Sequence, residues 1–389
     1  MIGLIFWASV GLVYYVYAGY PLLVTLAGRL RPARLYPASQ PAKVTILIAA
    51  YNEESEIAPK LEAVLALDYP ADLMQIIVAA DGSTDRTAEI ARQFGERGVE
   101  LVHQPQREGK MAAISRAITS ATGEIVVFSD ANNRFDGDAI KRLVAPFADG
   151  RVGLTVGYKT VTGASGLGHA EGTYWRYESH LRRMETRIGC TVGVNGEICA
   201  IRRDLFRPAP PQTINDDQWM AHMVIKDGFD VVFCPDAISR ETVSESAAEE
   251  KERRSRMVAG QYQLFARAHR EIPWRRPVVS WMLVSHKLLR PLVPFGMAGA
   301  AGAAAAAVVM PQGNAGLIGL GSPWAAMALG AQGLFYAIAL GGRKLERFGK
   351  LTYVPRFLVD SNVAAVAGLW RHLRGSQSAL WDRAQRTTR

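Results

Sequence analysis

Two short β-rich runs each lead straight into a carboxylate. Ile76-Ile77-Val78 leads to Asp81 in Ala80-Asp81-Gly82-Ser83-Thr84-Asp85, and Ile125-Val126-Val127-Phe128 leads to Asp130 in Ser129-Asp130-Ala131-Asn132. In an open α/β sheet this places an acid just past the carboxyl end of a strand, where ligands bind. The surrounding pattern supports such a sheet. Strands are predicted over 44–48, 75–79, 100–103 and 125–128, with helices over 53–67, 84–94 and 111–120 between them. Strands that alternate with helical patterns build βαβ units. The second half is less regular: a helix over 170–184, a strand over 197–201, a helix over 217–226 with Asn215 as its N-cap, and a strand over 231–233.

A third acidic station follows downstream, Asn215-Asp216-Asp217. A carboxylate at a strand mouth can hold a ribose, a base edge or a divalent metal. A later one can take a proton. Such a set suits an enzyme that handles a nucleotide-activated substrate.

The chain of 389 residues is basic, with 45 Lys and Arg against 36 Asp and Glu and a net charge of +9. That balance fits nucleic acid, an anionic membrane or an anionic substrate. Long uncharged apolar stretches favour the membrane and argue against nucleic acid. Residues 1–28 carry no charge and exceed the roughly 20 residues that cross a bilayer. A cleaved signal peptide would need a basic n-region, and none precedes the stretch. A second uncharged stretch, 291–342, is interrupted by Pro311-Gln312-Gly313-Asn314 and reads as a hairpin of 291–310 and 315–341. Arg29, Arg31, Arg34 and Lys43 follow the first span. Lys287 and Arg290 precede the hairpin, and Arg343, Lys344, Arg347 and Lys350 follow it. By the positive-inside rule all these flanks are cytoplasmic and the N-terminus is outside. Mixed apolar and basic segments at 274–289 and 357–374 read as helices in the membrane interface, or as ordinary amphipathic helices on a soluble domain. The expected division is a transmembrane helix 1–28, a cytoplasmic domain 43–274, an interfacial helix 275–290, a transmembrane hairpin 291–341 and a cytoplasmic tail 351–389. Cys190, Cys199 and Cys234 are odd in number and form no C-x-x-C pair, which argues against zinc and a disulfide framework.

Five motifs in order resemble those of the family 2 glycosyltransferases. Val44-Thr45-Ile46-Leu47-Ile48-Ala49-Ala50-Tyr51-Asn52-Glu53-Glu54 is similar to the opening strand and nucleotide loop. Ala80-Asp81-Gly82-Ser83-Thr84-Asp85-Arg86-Thr87 is similar to the second nucleotide-binding turn, and Arg107-Glu108-Gly109-Lys110-Met111-Ala112-Ala113 to the Gly-Lys turn. Asp130-Ala131-Asn132 stands where the family has D-x-D. Asn215-Asp216-Asp217 stands where processive members carry Thr-Glu-Asp. The resemblance covers about 43–265, and the membrane layout extends it towards the cellulose and hyaluronan synthase branch.

The resemblance implies a GT-A fold, α/β with a Rossmann-like mixed sheet, at the cytoplasmic face of an inner membrane. It implies inverting transfer from a nucleoside-diphosphate sugar, with a UDP-sugar expected, to a growing glycan or a polyprenyl-linked acceptor. It assigns nucleotide-sugar binding to Ala50, Tyr51, Glu53, Asp81, Lys110 and Asp130, and a Mg2+ or Mn2+ ion to Asp130 with Asn132. It assigns the general base to Asp217, with Asp216 as its rival. Arg253, Arg254 and Arg256 are expected to clamp the diphosphate from a loop.

Simpler roles stand beside these. Asp81 suits an Asp-Gly turn and Asp130 a turn or cap. Glu53, Asp216 and Asp217 suit helix starts, Lys110 a solvated helix start, and the arginines a membrane-facing run. Two departures matter. Asn132 is a neutral ligand where the family has Asp. Arg253-Arg254-Ser255-Arg256-Met257 replaces the Q-x-x-R-W of processive members. A non-catalytic scaffold of a polysaccharide export complex is the competing reading. A dinucleotide-dependent oxidoreductase is disfavoured, because no G-x-G-x-x-G follows the first strand.

Overall fold

The computed structural model describes residues 1–34, 36, 41–162, 166–242, 247–310, 319–341 and 350–377. They divide into two compact units. One comprises Met1–Leu23, Glu250–Arg267 and Trp281–Gln377; the other comprises Val24–Glu249 and Ala268–Ser280.

The second unit holds one sheet of eight strands: β1 Val44–Ala50, β2 Met74–Asp81, β3 Val99–Gln104, β4 Ile125–Asp130, β5 Asn133–Phe135, β6 Val152–Thr162, β7 Ile198–Arg202 and β8 Asp230–Thr242. Their order is β3-β2-β1-β4-β7-β6-β8-β5. β1 pairs in parallel with β2 on one side and β4 on the other, and β2 pairs in parallel with β3. β7 runs antiparallel to both β4 and β6, so the sheet is mixed. Every residue of β1 is buried, as expected of a central strand covered on both faces. Chain order reverses about β1, and a crevice outside the carboxyl ends of β1, β2 and β4 follows from that topology.

The expected strands of the first half are all present. The helices start later than periodicity predicts: Ile57–Leu65 against 53–67, and Thr87–Gln93 against 84–94. The reason is local bonding. Asn52, Glu53 and Glu54 donate their backbone N–H groups to the Ser83 hydroxyl (3.1 Å), the Thr87 hydroxyl (2.7 Å) and the Asp85 carboxylate (3.1 Å). Thr84 N–H returns to Asn52 Oδ1 at 2.8 Å. These segments therefore form two stitched loops rather than first turns. Asn52 adopts a left-handed φ of 52° to do so. β5, β6 and the helix Ala139–Val144 were not expected from the sequence.

In the other unit, helix packing rests on small residues. Phe6 packs with Ala300, Ala303, Ala304 and Ala307. A Cβ on Gly299 would lie 2.6 Å from Ser9 Oγ, so glycine sets that approach. Among the described residues, three helices are long and apolar enough to cross a membrane: Ile2–Arg29, Pro277–Val309 and Pro323–Leu340. The first contains a π-helical turn at Tyr15–Gly19. Residues 275–290, expected as a separate interfacial helix, are mostly part of the Pro277–Val309 run. That run passes through a π turn at Val284–Leu288 and a 3-10 turn at Arg290–Leu292. Of the second hairpin leg, 315–318 lie outside the described residues, as do 378–389 of the tail. The last helix among the described residues is Lys350–Arg374.

Gly82 and Gly98 both have positive φ, 62° and 85°. A Cβ at Gly82 would lie 2.5 Å from the backbone nitrogen of Arg107, whereas Gly98 faces open space. Gly82→Ala is expected to lower stability by about 1–3 kcal/mol, and Gly98→Ala by less, since only the latter avoids a backbone clash. Thermal unfolding of the two variants side by side checks this.

Candidate active site

The site is built at the carboxyl ends of the parallel strands. Ala50 is the buried last residue of β1, and Tyr51 follows it with the Arg107 guanidinium 4.0 Å from its ring centroid. Glu53 is buried, and its carbonyl accepts the N–H groups of Glu56 (2.9 Å) and Ile57 (2.8 Å). The first helix therefore begins at Ile57, beyond the reach expected of a Glu53 cap.

Asp81 ends β2 and is 2% exposed. It accepts the backbone N–H groups of Glu108 (3.0 Å) and Gly109 (2.6 Å), and Arg116 Nη2 lies 3.3 Å away. Its carboxylate thus fixes the turn that presents Lys110. Gly109 carries a φ of 99° at that turn, and the helix Lys110–Ala117 starts directly after it.

Lys110 Nζ reaches Asp130 Oδ1, at the end of β4, at 2.5 Å. Burial pulls the Lys110 pKa down. The charges of Asp130, Asp216 and Asp217 outweigh it, and the net shift is upwards. The sequence-predicted stations therefore do meet: Lys110 from the third crossover, Asp130 from β4, and the Asp216–Asp217 pair at the start of helix Asp216–Lys226. Burial pushes the Asp216 carboxyl up to about 6; Lys110 opposes the shift and Asp217 adds to it. Asp217 is held by two backbone donors, Gly196 N–H at 2.9 Å and Gln218 N–H at 2.8 Å. Asn215 occupies the N-cap position but makes no side-chain cap, and Asp216 instead accepts the N–H of Asp217 at 2.9 Å.

Asn132 donates its amide N–H to Glu241 on β8 at 3.1 Å. Glu241 and Glu197 share the buried ammonium of Lys159. None of these three charged residues was singled out from the sequence, because β6 and the length of β8 were not foreseen. Lys60, fully buried beside this network, was missed as well. It sits in the apolar stripe of its helix with Ile57, Leu61 and Val64, a place where periodicity predicts no charge.

Among the described residues, no three of His, Cys, Asp and Glu gather as a metal cage. Mg2+ is commonly held by one or two carboxylates together with substrate phosphates. Asp130 with the amide oxygen of Asn132 fits that sparse kind of station. The arginines depart from expectation. Arg253, Arg254 and Arg256 lie on the helix Ala247–Ala266, not on a loop, and belong to the unit of apolar helices rather than to the sheet. Arg254 stands over the Phe357 ring at 4.8 Å. The physical reason is composition: 247–259 contains neither Gly nor Pro and is rich in Ala, Glu, Lys and Arg, all strong helix formers.

Comparisons with known proteins bear on the domain that carries these residues. Residues 45–208 match the model of glycosyl transferase family 2. The segment is a family 2 glycosyltransferase domain. Among curated relatives, a probable glycosyltransferase of Bacillus subtilis, YdaM, is 27% identical over 227 residues, 52% of this chain and 51% of that protein. An N-acetylglucosaminyltransferase of Rhizobium meliloti is 27% identical over 217 residues, 50% of each chain. The chain thus spans about half the length of these relatives. The solved mannosyltransferase of Pyrobaculum calidifontis, in complex with GDP-Man and Mn2+, superposes with a TM-score of 0.73 at 24% identity, covering 96% of this chain and 99% of that one. The fold is therefore GT-A, with apolar helices at the N-terminal and C-terminal ends.

Lys110 is the counter-charge to three clustered acids, which gives a pH signature. Without it, the folded-state pKa of Asp216, already raised by burial, rises further, and ionising that group above it opposes folding. Lys110→Met is therefore expected to cost more stability at about pH 8 than at about pH 5. Thermal unfolding at both pH values decides; an equal loss at both would reduce Lys110 to packing.

Proposed function

We propose that the chain is a membrane-bound inverting glycosyltransferase. It moves a sugar from a nucleoside-diphosphate sugar, with UDP-sugar as the expected donor, to a growing glycan or a polyprenyl-linked acceptor of the cell surface. The observation that carries this reading is the convergence of Lys110, Asp130, Asp216 and Asp217 at the mouth of the family 2 domain. A scaffold that only kept the fold gains nothing from gathering three half-buried acids around one lysine. The N-acetylglucosaminyltransferase relative supports a nucleotide-sugar donor. The three apolar helices support a multi-pass inner-membrane enzyme with its catalytic domain in the cytoplasm.

In this reading the loops after β1 and β2 hold the nucleoside, through Ala50, Tyr51, Glu53 and the Asp81 turn. Asp130 and Asn132 would hold Mg2+ or Mn2+, which when bound would supply positive charge against the diphosphate. Lys110 adds a fixed positive charge beside them. Asp217 takes the proton of the acceptor hydroxyl as the new bond forms. Its two backbone donors keep the carboxylate in one orientation for that transfer. The arginines of the Ala247–Ala266 helix are not assigned to the diphosphate.

Asp217→Asn should lower turnover by about a hundredfold or more, with donor binding little changed. Transfer rate and nucleotide binding are to be measured on this variant and on Asp216→Asn together. A dead Asp216→Asn beside an active Asp217→Asn would move the base to its neighbour. Asp130→Ala should abolish transfer, and full wild-type activity in chelator would remove the metal from the reaction. The rate should also fall on the acid side near pH 6. Below that point Asp216 becomes protonated and the cluster loses one charge facing Lys110. A reporter fused after Arg389 should be active on the cytoplasmic side alone.

A further inference from the structure

Lys60 is fully buried, and all three of its hydrogen bonds go to neutral oxygens of one short turn. Its ammonium donates to Ser129 Oγ at 2.7 Å, to Asn133 O at 2.9 Å and to Asn133 Oδ1 at 2.7 Å. The Phe135 ring lies below it, 4.4 Å from the nitrogen to the centroid. Ser129 and Asn133 are themselves buried, and they bracket Asp130-Ala131-Asn132. Asn133 is held from its other side by Glu197 O and Ser239 Oγ, each at 2.8 Å. The turn that carries the proposed diphosphate station is thus gripped at both ends by one cation.

Packing alone does not explain this residue. A buried, unpaired ammonium is expensive, and an apolar side chain of similar length would fill the same space at lower cost. Burial, with Arg134 adding to it, pulls the Lys60 pKa down to about 7, while the charges of Asp130 and Glu197 oppose the shift and favour the protonated form. What the ammonium supplies and a methionine would not is directional hold on Ser129 and Asn133.

We propose that Lys60 is a positioning residue for the donor: it locks the 129–133 turn so that Asp130 and Asn132 face the diphosphate of the nucleotide-sugar. The inference rests on the transferase reading above and adds a residue that touches neither substrate nor metal. It requires that losing Lys60 weakens recognition of the diphosphate while leaving the nucleoside loops after β1 and β2 intact.

The test is calorimetric binding of UDP and UMP, with GDP and GMP beside them, to the full-length protein in detergent with Mn2+. Thermal unfolding is recorded on each variant. Lys60→Met should lose UDP affinity on the order of tenfold or more, with UMP affinity nearly unchanged. Combined with Asp130→Asn, it should add little beyond Asp130→Asn alone, because both act through one turn. Ser129→Ala removes a single contact and leaves almost no cavity. It should shift UDP binding in the same direction by less, and it decides the matter if Lys60→Met does not fold. Unchanged UDP affinity in the variants, or equal loss of UDP and UMP, overturns the proposal and leaves the transferase reading standing. A wild-type protein that binds no nucleoside diphosphate overturns that reading and this inference with it.

Discussion

Lys110 is the cation faced by Asp130, Asp216 and Asp217, and their combined charge outweighs its burial and raises its pKa. Much of the surrounding structure serves to bring it there. Asp81 spends its carboxylate on the Glu108 and Gly109 amides, which fixes the turn from which Lys110 projects. Gly82 leaves no side chain where the Arg107 backbone passes. β4 delivers Asp130 from one side, and Gly196 steadies Asp217 from the other. The parallel register sets the distances: Ala49 aligns with Asp130 across β1 and β4, and Ala50 with Ala80 across β1 and β2.

The first half of the sheet was legible in the sequence because its strands are short apolar runs, each closed by a turn signal. The acids at their ends were legible for the same reason. The helix starts were not, because Asn52, Thr84 and Thr87 give their hydrogen bonds to each other's loops, and periodicity is blind to bonds about thirty residues apart. β6 escaped notice because it contains glycines and a polar Tyr158-Lys159-Thr160 stretch in its second half. Lys159 in that stretch looks like a surface lysine until Glu197 and Glu241 close on it.

Asp81 shows how a motif can be found correctly and still be incomplete in meaning. Sequence placed it just past the end of a strand, and it closes β2. Its two backbone bonds make it also the residue that builds the next turn. The arginines of 253–256 show the opposite case. A cluster of positive charge suggested a grip on phosphate, but helix propensity decided the local structure. The helix carries them in the unit of apolar helices. The equivalent lesson for Lys60 is that an ionisable residue in an apolar stripe is informative because it breaks the pattern.

β6 and β8 pair in parallel along most of their length, but the register slips between Gly157 and Tyr158. There Cys234 is followed in the ladder by Ile238. A side chain at Gly157 would strike the Ala237 carbonyl at 2.6 Å, so the slip is accommodated by a missing Cβ. The slip acts as a phase setter for the strand. Side chains alternate faces along β8, and the number of residues taken up in the slip determines which face Glu241 presents. With one residue more or fewer, Glu241 would swap places with its neighbours, and Asn132 and Lys159 would lose their common partner. The length of a three-residue stretch, Pro235-Asp236-Ala237, thereby sets which residue Asn132 and Lys159 share as a partner.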